Sequence, residues 1–216
     1  MTTPKTHSIL AIFIVTIWLI SGCSTVQIHK QTKHKVIDLK TDQLKESGIA
    51  FLTPSATVDY EQDKQGLAFI FAEMLKEKRP EINSLSLSET LGIINQASLT
   101  QEYKTMFDFY NKTGIFPLKS LKKISQATQT KYFAHIQLAS FERETQGRFG
   151  VFGFRLFQTK QANVRIFLQI WNSSNGFIVW EGSEELNLAF DTGSEQPIPF
   201  RNITRKVAEN LFQLIP

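Results

Sequence analysis

The chain has one cysteine, Cys23, and it lies directly after an apolar run. A lone cysteine cannot form an intramolecular disulfide, and no other cysteine or histidine stands at a zinc or iron–sulfur spacing from it. Upstream are a single charged residue, Lys5, and the stretch 9–20, which is apolar except for Thr16. This stretch is too short for a membrane-spanning helix, which needs roughly 20 apolar residues, and it has the length of a signal-peptide core. The sequence therefore predicts export.

The four residues that end at this cysteine, Ile20-Ser21-Gly22-Cys23, resemble the bacterial lipobox. In that motif small residues precede a cysteine whose sulfur is acylated before the signal peptide is removed. We therefore predict a lipoprotein signal peptide over residues 1–22 and lipidation, including palmitate, at Cys23. Two or three acyl chains hold a protein at a membrane, because each buried CH₂ contributes about 0.8 kcal/mol. Ser24 follows in place of Asp, which under the enterobacterial sorting rule favours the periplasmic face of the outer membrane. The alternative is an uncleaved N-terminal anchor with an incidental cysteine.

No catalytic arrangement is visible among the remaining reactive residue types. The sequence contains no G-x-S-x-G and no H-E-x-x-H motif, and the glycines of QGRFGVFGF lack the context of a nucleotide loop. Histidines and acidic pairs are scattered over different predicted elements: His7, His29, His34, His135, Glu142, Glu144, Glu184 and Glu185. We expect a protein that is not an enzyme and that has neither a cofactor nor a metal site.

Composition predicts a folded domain preceded by a tether. The chain is 42% hydrophobic and 12% aromatic, and its net charge of +4 is spread along its length, which argues against a nucleic-acid partner. The most basic stretch, residues 27–45, has few apolar residues, so residues 23–47 are predicted to be a flexible tether after the lipidated cysteine. A contact with anionic lipid head groups is the alternative for this stretch. Residues 48–216 are predicted to form one periplasmic α/β domain.

Hydrophobic periodicity predicts an α+β fold, an α/β-like sandwich with a mixed sheet, a C-terminal antiparallel meander and helices packed on it. Apolar residues recur at helical spacing from Leu67 to Leu75, Ser86 and Glu89 form a capping box, and Gly114 can end a helix. Apolar and polar residues alternate with a period of two in three later runs, which predicts strands. The predicted inward positions of the helices include Leu67, Ile70, Phe71, Met74, Leu75, Leu91, Ile94, Leu118, Leu121, Ile124, Ile203, Val207 and Leu211.

The order of these elements resembles the CsgG-like periplasmic lipoproteins, a group that includes the curli secretion channel subunit, LpoB and the amino-terminal domain of TolB. In this family a strand is followed by a D-x-x-T-G turn, an apolar pair and an aromatic residue. Residues 172–176 and Ile178-Val179-Trp180 occupy those places, whereas the family's small-Asp-Tyr motif is reduced to Thr130-Lys131-Tyr132. The resemblance implies a non-enzymatic binding or scaffold module for an envelope protein complex, or alternatively a subunit of an oligomeric outer-membrane secretion channel.

An apolar segment between two predicted strands is the candidate interface. Large side chains crowd a hairpin tip that cannot bury them against its own two strands. The tip could fold over its own sheet, contact a partner protein or a second copy of the chain, or touch the membrane. A channel subunit should show two spanning arms, and only one apolar arm is visible. The candidate interface residues are Arg148, Phe149, Phe152, Phe154, Arg155 and Phe157.

Overall fold

The computed structural model describes residues 27–56, 63–151, 154–192 and 198–216, of which 146–151, 154–158 and 191–192 are described by their backbone alone. The strands are β1 (Gln27–Val36), β2 (Ile49–Phe51), β3 (Ser55–Ala56), β4 (Ser84–Leu85), β5 (Tyr132–Val151), β6 (Phe154–Asn172) and β7 (Ile178–Thr192). The helices are α1 (Gln43–Ser47), α2 (Lys64–Lys78), α3 (Leu87–Gln96), α4 (Thr100–Thr113), α5 (Leu118–Thr128) and α6 (Phe200–Phe212). No helix in these ranges is long and apolar enough to cross a membrane.

All seven described strands belong to one mixed sheet. The strand order is β1-β7-β6-β5-β2-β4, and β3 also pairs with β5. The pairs of β5 with β2 and β3 are parallel, whereas β5, β6, β7 and β1 follow one another in antiparallel pairs. Between β6 and β7 the turn predicted at residues 172–176 is closed by a hydrogen bond of 2.8 Å from Gly176 N to Asn172 O. The predicted mixed sheet with a C-terminal antiparallel meander is confirmed.

The predicted flexible tether over residues 23–47 is wrong for its described part. Residues 27–36 form β1, which pairs with β7 from Gln27 opposite Ala189 to Val36 opposite Trp180. Residues 43–47 form α1, and its Leu44 is buried. Without β1, the long strand β7 would leave a row of peptide groups unpaired, and backbone pairing satisfies them whatever the side chains are. Composition could not show this, because nearly every side chain of β1 is exposed.

The two faces of the sheet carry separate cores. Helices α2 and α6 pack on one face, here called the front face, and α3, α4 and α5 pack on the other, the back face. Successive residues of a strand point to opposite faces, so Tyr132 of β5 joins the front core and Phe133 joins the back core. The rings of Phe71 and Phe212 pack edge to face between α2 and α6, with their centroids 5.7 Å apart. This layered arrangement is the predicted α+β class.

Most of the predicted helix features are confirmed, and two predicted core positions are wrong. The side chain of Ser86 and the backbone of Glu89 form the capping box of α3, and Gly114 ends α4 with a φ of 71°. Leu91 and Leu118, predicted to face inward, are each 39% exposed. The buried stripe of α3 runs through Thr90 and Ile94, so Leu91 lies beside it, and Leu118 is the first residue of α5, before the buried positions that begin at Ser120. Buried as predicted are Leu67, Ile70, Phe71, Met74, Leu75, Ile94, Leu121, Ile124, Ile203, Val207 and Leu211.

Candidate interaction surface

The described helices cover only part of the back face. The core that α3, α4 and α5 form with the sheet includes Phe133 of β5 and Trp171 at the end of β6. The back face of β6, β7 and β1 beyond that core carries exposed and half-buried side chains, most of them polar. We call this surface the bare face. It comprises Gln31, Lys33, Lys35, Arg165, Phe167, Gln169, Glu181, Ser183 and Glu185.

Strand register arranges the bare face in rows that run across three strands. The central row joins Lys33, Ser183 and Phe167, and the next joins Gln31, Glu185 and Arg165. In the second row Arg165 Nε donates to Glu185 Oε2 at 3.0 Å, and a guanidinium NH₂ group contacts the same oxygen. An exposed ion pair of this kind contributes at most about 1 kcal/mol to stability.

Phe167 is the apolar centre of the bare face. Its side chain is 39% exposed although it lies in the middle of the sheet. Two shallow hollows lie beside it, of about 280 Å³ toward Lys35 and about 350 Å³ toward Arg165. An aromatic side chain with a rim of charged and polar groups is the composition of a protein–protein contact.

A larger hollow continues the back face toward the start of β1. Its volume is about 600 Å³, and polar side chains of all four antiparallel strands line it, among them His29, Glu142, Gln161 and Asn187. The buried Oδ1 of Asn163, another lining residue, has no hydrogen-bond partner among the described residues.

The predicted interface residues have only a partial structural description. Cys23 and Phe152 lie outside the described residues, so lipidation remains a prediction. The backbone places Phe149 opposite Phe157 and Gly150 opposite Arg155 near the end of the β5–β6 hairpin. Arg148 and Phe154 belong to the same hairpin. Whether these side chains form an interface remains a prediction.

His135 belongs to the back core. Its side chain is 1% exposed, and Nε2 lies 2.9 Å from the Ser55 hydroxyl oxygen. The rings of Tyr110 and Phe116 surround it at centroid distances of 4.6 and 5.2 Å. Burial lowers the pKa of His135 to about 3, so the imidazole is neutral near pH 7. Within the described ranges no three His, Cys, Asp or Glu residues stand close enough to hold a metal ion.

A buried carboxylate joins three elements and was not recognised from the sequence. Glu184 of β7 is fully buried and accepts a hydrogen bond of 2.6 Å from Asn210 Nδ2 on α6. Its other oxygen accepts one of 3.0 Å from the hydroxyl of Thr32 on β1. Burial raises the pKa of Glu184. The sequence did hold a signal, because Glu184 shares a strand face with the core residues Trp180 and Leu186.

Comparison with known proteins finds only solved structures with a similar architecture. No protein-family model matches the sequence, and no curated protein is significantly similar to it. The PelC dodecamer from Paraburkholderia phytofirmans is 10% identical, with 87% of this chain and 94% of that chain covered and a TM-score of 0.44. Lipoprotein GNA1162 from Neisseria meningitidis is 14% identical, with 78% and 97% covered and a TM-score of 0.38. The LpoB C-terminal domain from Salmonella enterica is 10% identical, with 64% and 82% covered and a TM-score of 0.33.

Proposed function

We propose that this chain is a lipid-anchored envelope protein whose domain binds another envelope protein through the bare face, without catalysis. The anchor follows from the apolar run and the Ile20-Ser21-Gly22-Cys23 motif, which predict export and lipidation. The sorting rule that the motif brings with it favours the periplasmic face of the outer membrane. A non-enzymatic role agrees with the contacts of two buried titratable side chains, because His135 and Glu184 each hydrogen-bond to a neighbouring side chain.

The observation that carries the proposal is the incomplete covering of the sheet. On this face Phe167 lies between two hollows and is surrounded by charged and polar side chains, and protein contacts have such an aromatic centre with a polar rim. The rim around it has both signs of charge, with Lys33 and Lys35 on β1 and Glu181 and Glu185 on β7. Alternating charges set the register of a protein contact and reject surfaces that lack the complementary pattern. The expected partner therefore presents an apolar projection flanked by charges of both signs.

Replacement of the central aromatic tests this proposal. The full-length chain, carrying an affinity tag, would be cross-linked in intact cells and purified from detergent extracts. We expect Phe167→Ala to lower recovery of the partner about tenfold, since a central interface aromatic contributes more than about 1.4 kcal/mol. The control is Phe109→Ala on α4, which removes an aromatic ring that is 46% exposed and lines neither of the hollows beside Phe167.

Equal recovery with both variants would reject the bare face as the binding site. A companion variant tests the anchor: Cys23→Ser should block labelling by a palmitate analogue and release the chain from the membrane fraction. Unchanged labelling would show that the lipid is attached elsewhere or that the anchor is a different one.

The second candidate function, a subunit of an oligomeric secretion channel, is favoured by the length of the central hairpin. Strands β5 and β6 have 20 and 19 residues, about twice the 9–11 residues that cross a bilayer. Beyond Leu138, the edge of β5 that faces away from β6 pairs with no other described strand. This candidate requires several copies in one assembly, which distinguishes it from a single domain bound to a partner.

A further inference from the structure

The strand register brings the start of β1 to the same end of the sheet as the β5–β6 hairpin tip. Gln27 lies opposite Ala189, Ala189 opposite Gln161, and Gln161 opposite Glu144, so these four residues form one row across the sheet. From this row β1 runs away from the tip, so its first residue, Gln27, is at the end of β1 nearer the tip. A flexible tether would not fix this relation, but the pairing of β1 with β7 does.

The number of residues beyond this row shows how far Cys23 and the hairpin tip can each extend from it. Cys23 precedes Gln27 by four residues, which span at most about 14 Å when fully extended. From Glu144 the hairpin continues for seven residues to Val151, or about 23 Å at the rise of a strand. The last strand pairs therefore lie on the order of 10 Å beyond the farthest level that Cys23 can reach. Because about 14 Å is the greatest span of the residues from Cys23 to Gln27, this difference is a minimum, and it is enough for the tip to reach the depth of about 5–10 Å at which interfacial segments lie in a membrane.

The hairpin also leaves the rest of the sheet before its tip. The last described pair between β6 and β7 is Gln158 with Thr192, and beyond it the described part of β6 pairs only with β5. A two-stranded ribbon cannot bury large apolar side chains by itself. This ribbon is rich in them, and it also carries two arginines, a residue type that places its charge among lipid head groups while its stem contacts apolar chains. Its residues include Arg148, Phe149, Val151, Phe154, Arg155, Leu156 and Phe157.

We propose that the hairpin tip lies in the head-group and upper acyl layer of the membrane that holds Cys23. This inference rests on the lipid anchor of the proposed function. The domain is then held at two points, the lipid and the tip, with its long strands upright on the membrane. The turn between β6 and β7 stands at the opposite end, since Asn172 is eleven residues, or about 36 Å, from Gln161 along β6.

Depth-dependent quenching of an introduced tryptophan tests the proposal. The lipidated full-length chain would be reconstituted into phosphatidylethanolamine and phosphatidylglycerol vesicles that contain brominated lipid. Phe154→Trp places the probe in the hairpin tip. The matched control is Phe177→Trp in the far turn, where the native side chain is 67% exposed. The native Trp171 and Trp180 are buried in the cores and give both variants the same background.

We expect both variants to float with the vesicles, and we expect lipid brominated near the head group to quench the Phe154→Trp signal at least twofold more than the control. Flotation with equal quenching of the two probes would overturn the tip contact and leave the anchor standing. A chain that fails to float would overturn the anchor and the tip position with it. Quenching that is strongest from bromine at the acyl chain ends would show a spanning hairpin and would overturn the interfacial placement.

Discussion

At the scale of the residue, His135 makes the fold sensitive to acid. The unfolded chain binds a proton at the ordinary histidine pKa of 6.5, whereas burial lowers the pKa of His135 in the folded protein to about 3. Between these values the unfolded state binds more protons, so this residue lowers the free energy of unfolding as pH falls through that window. Above pH 6.5 His135 is mostly neutral in both the folded and the unfolded chain, so it does not lower the free energy of unfolding there.

We therefore expect His135→Gln to flatten the pH dependence of stability. A shift of one pKa unit corresponds to about 1.4 kcal/mol, so the wild-type chain should lose about 2–3 kcal/mol more than the variant between pH 7 and pH 4.5. Urea unfolding at the two pH values measures the difference. Parallel losses in the two proteins would mean that the folded state admits the charged imidazole.

At the scale of the element, β1 is bound to the sheet mainly by its backbone. Of its ten side chains only Thr32 is partly buried, and its hydroxyl donates to the buried Glu184. Segments with few buried contacts open locally at a lower free energy than the core does. We therefore expect the amides of β1 to exchange with deuterium at least tenfold faster than those of β6, which has neighbours on both sides.

The hydrogen bond from Thr32 to Glu184 gives this expectation a second test. Thr32→Val removes one partner of a buried carboxylate, which costs about 1–3 kcal/mol, so exchange in β1 should rise about tenfold further while exchange in β6 stays unchanged. Thr105→Val is the control, because the described partner of the Thr105 hydroxyl is Gln101 O within the same helix. If both variants exchange alike, the bond does not hold β1.

Elements differ in how far the sequence determines them. Helix α2 was predictable because a helix that packs on one side repeats its apolar residues, here from Leu67 to Leu75. Strand β1 was not, because a strand with both faces exposed carries no alternation, and its existence depends on the distant β7. The exposure of Leu91 and Leu118 likewise depends on the angle at which α3 and α5 cross the sheet, which periodicity does not specify.

At the scale of the whole molecule, the bare face could not be predicted either. Phe167 alternates with its neighbours as any strand residue does, and its exposure follows from where α3, α4 and α5 stop. Of the candidate site, the sequence predicted Cys23 and the hairpin tip, because those signals are local. The hollows beside Phe167 arise from three strands that are far apart in the chain.

Assembly size separates the two candidate functions at this scale. If the chain acts as a single anchored domain, the detergent-extracted protein should have the mass of a monomer or dimer once the detergent is subtracted. A channel subunit should instead run as a large ring. Light scattering coupled to size-exclusion chromatography measures the mass directly, and a stable high-order assembly would favour the channel over the scaffold.

The basic side chains of β1 have a consequence for crowding at a membrane. Among the described strands β1 lies at the edge of the sheet, so one row of its peptide groups has no described strand beside it. If the chain is lipid-anchored as proposed, its copies meet at high local concentration on the membrane. Edge strands are kept from aggregating by charges, especially lysine. β1 carries Lys30, Lys33 and Lys35 and no acidic residue, so two copies that approach edge to edge repel each other. The composition that suggested a loose linker thus protects the exposed edge against fibre-like stacking.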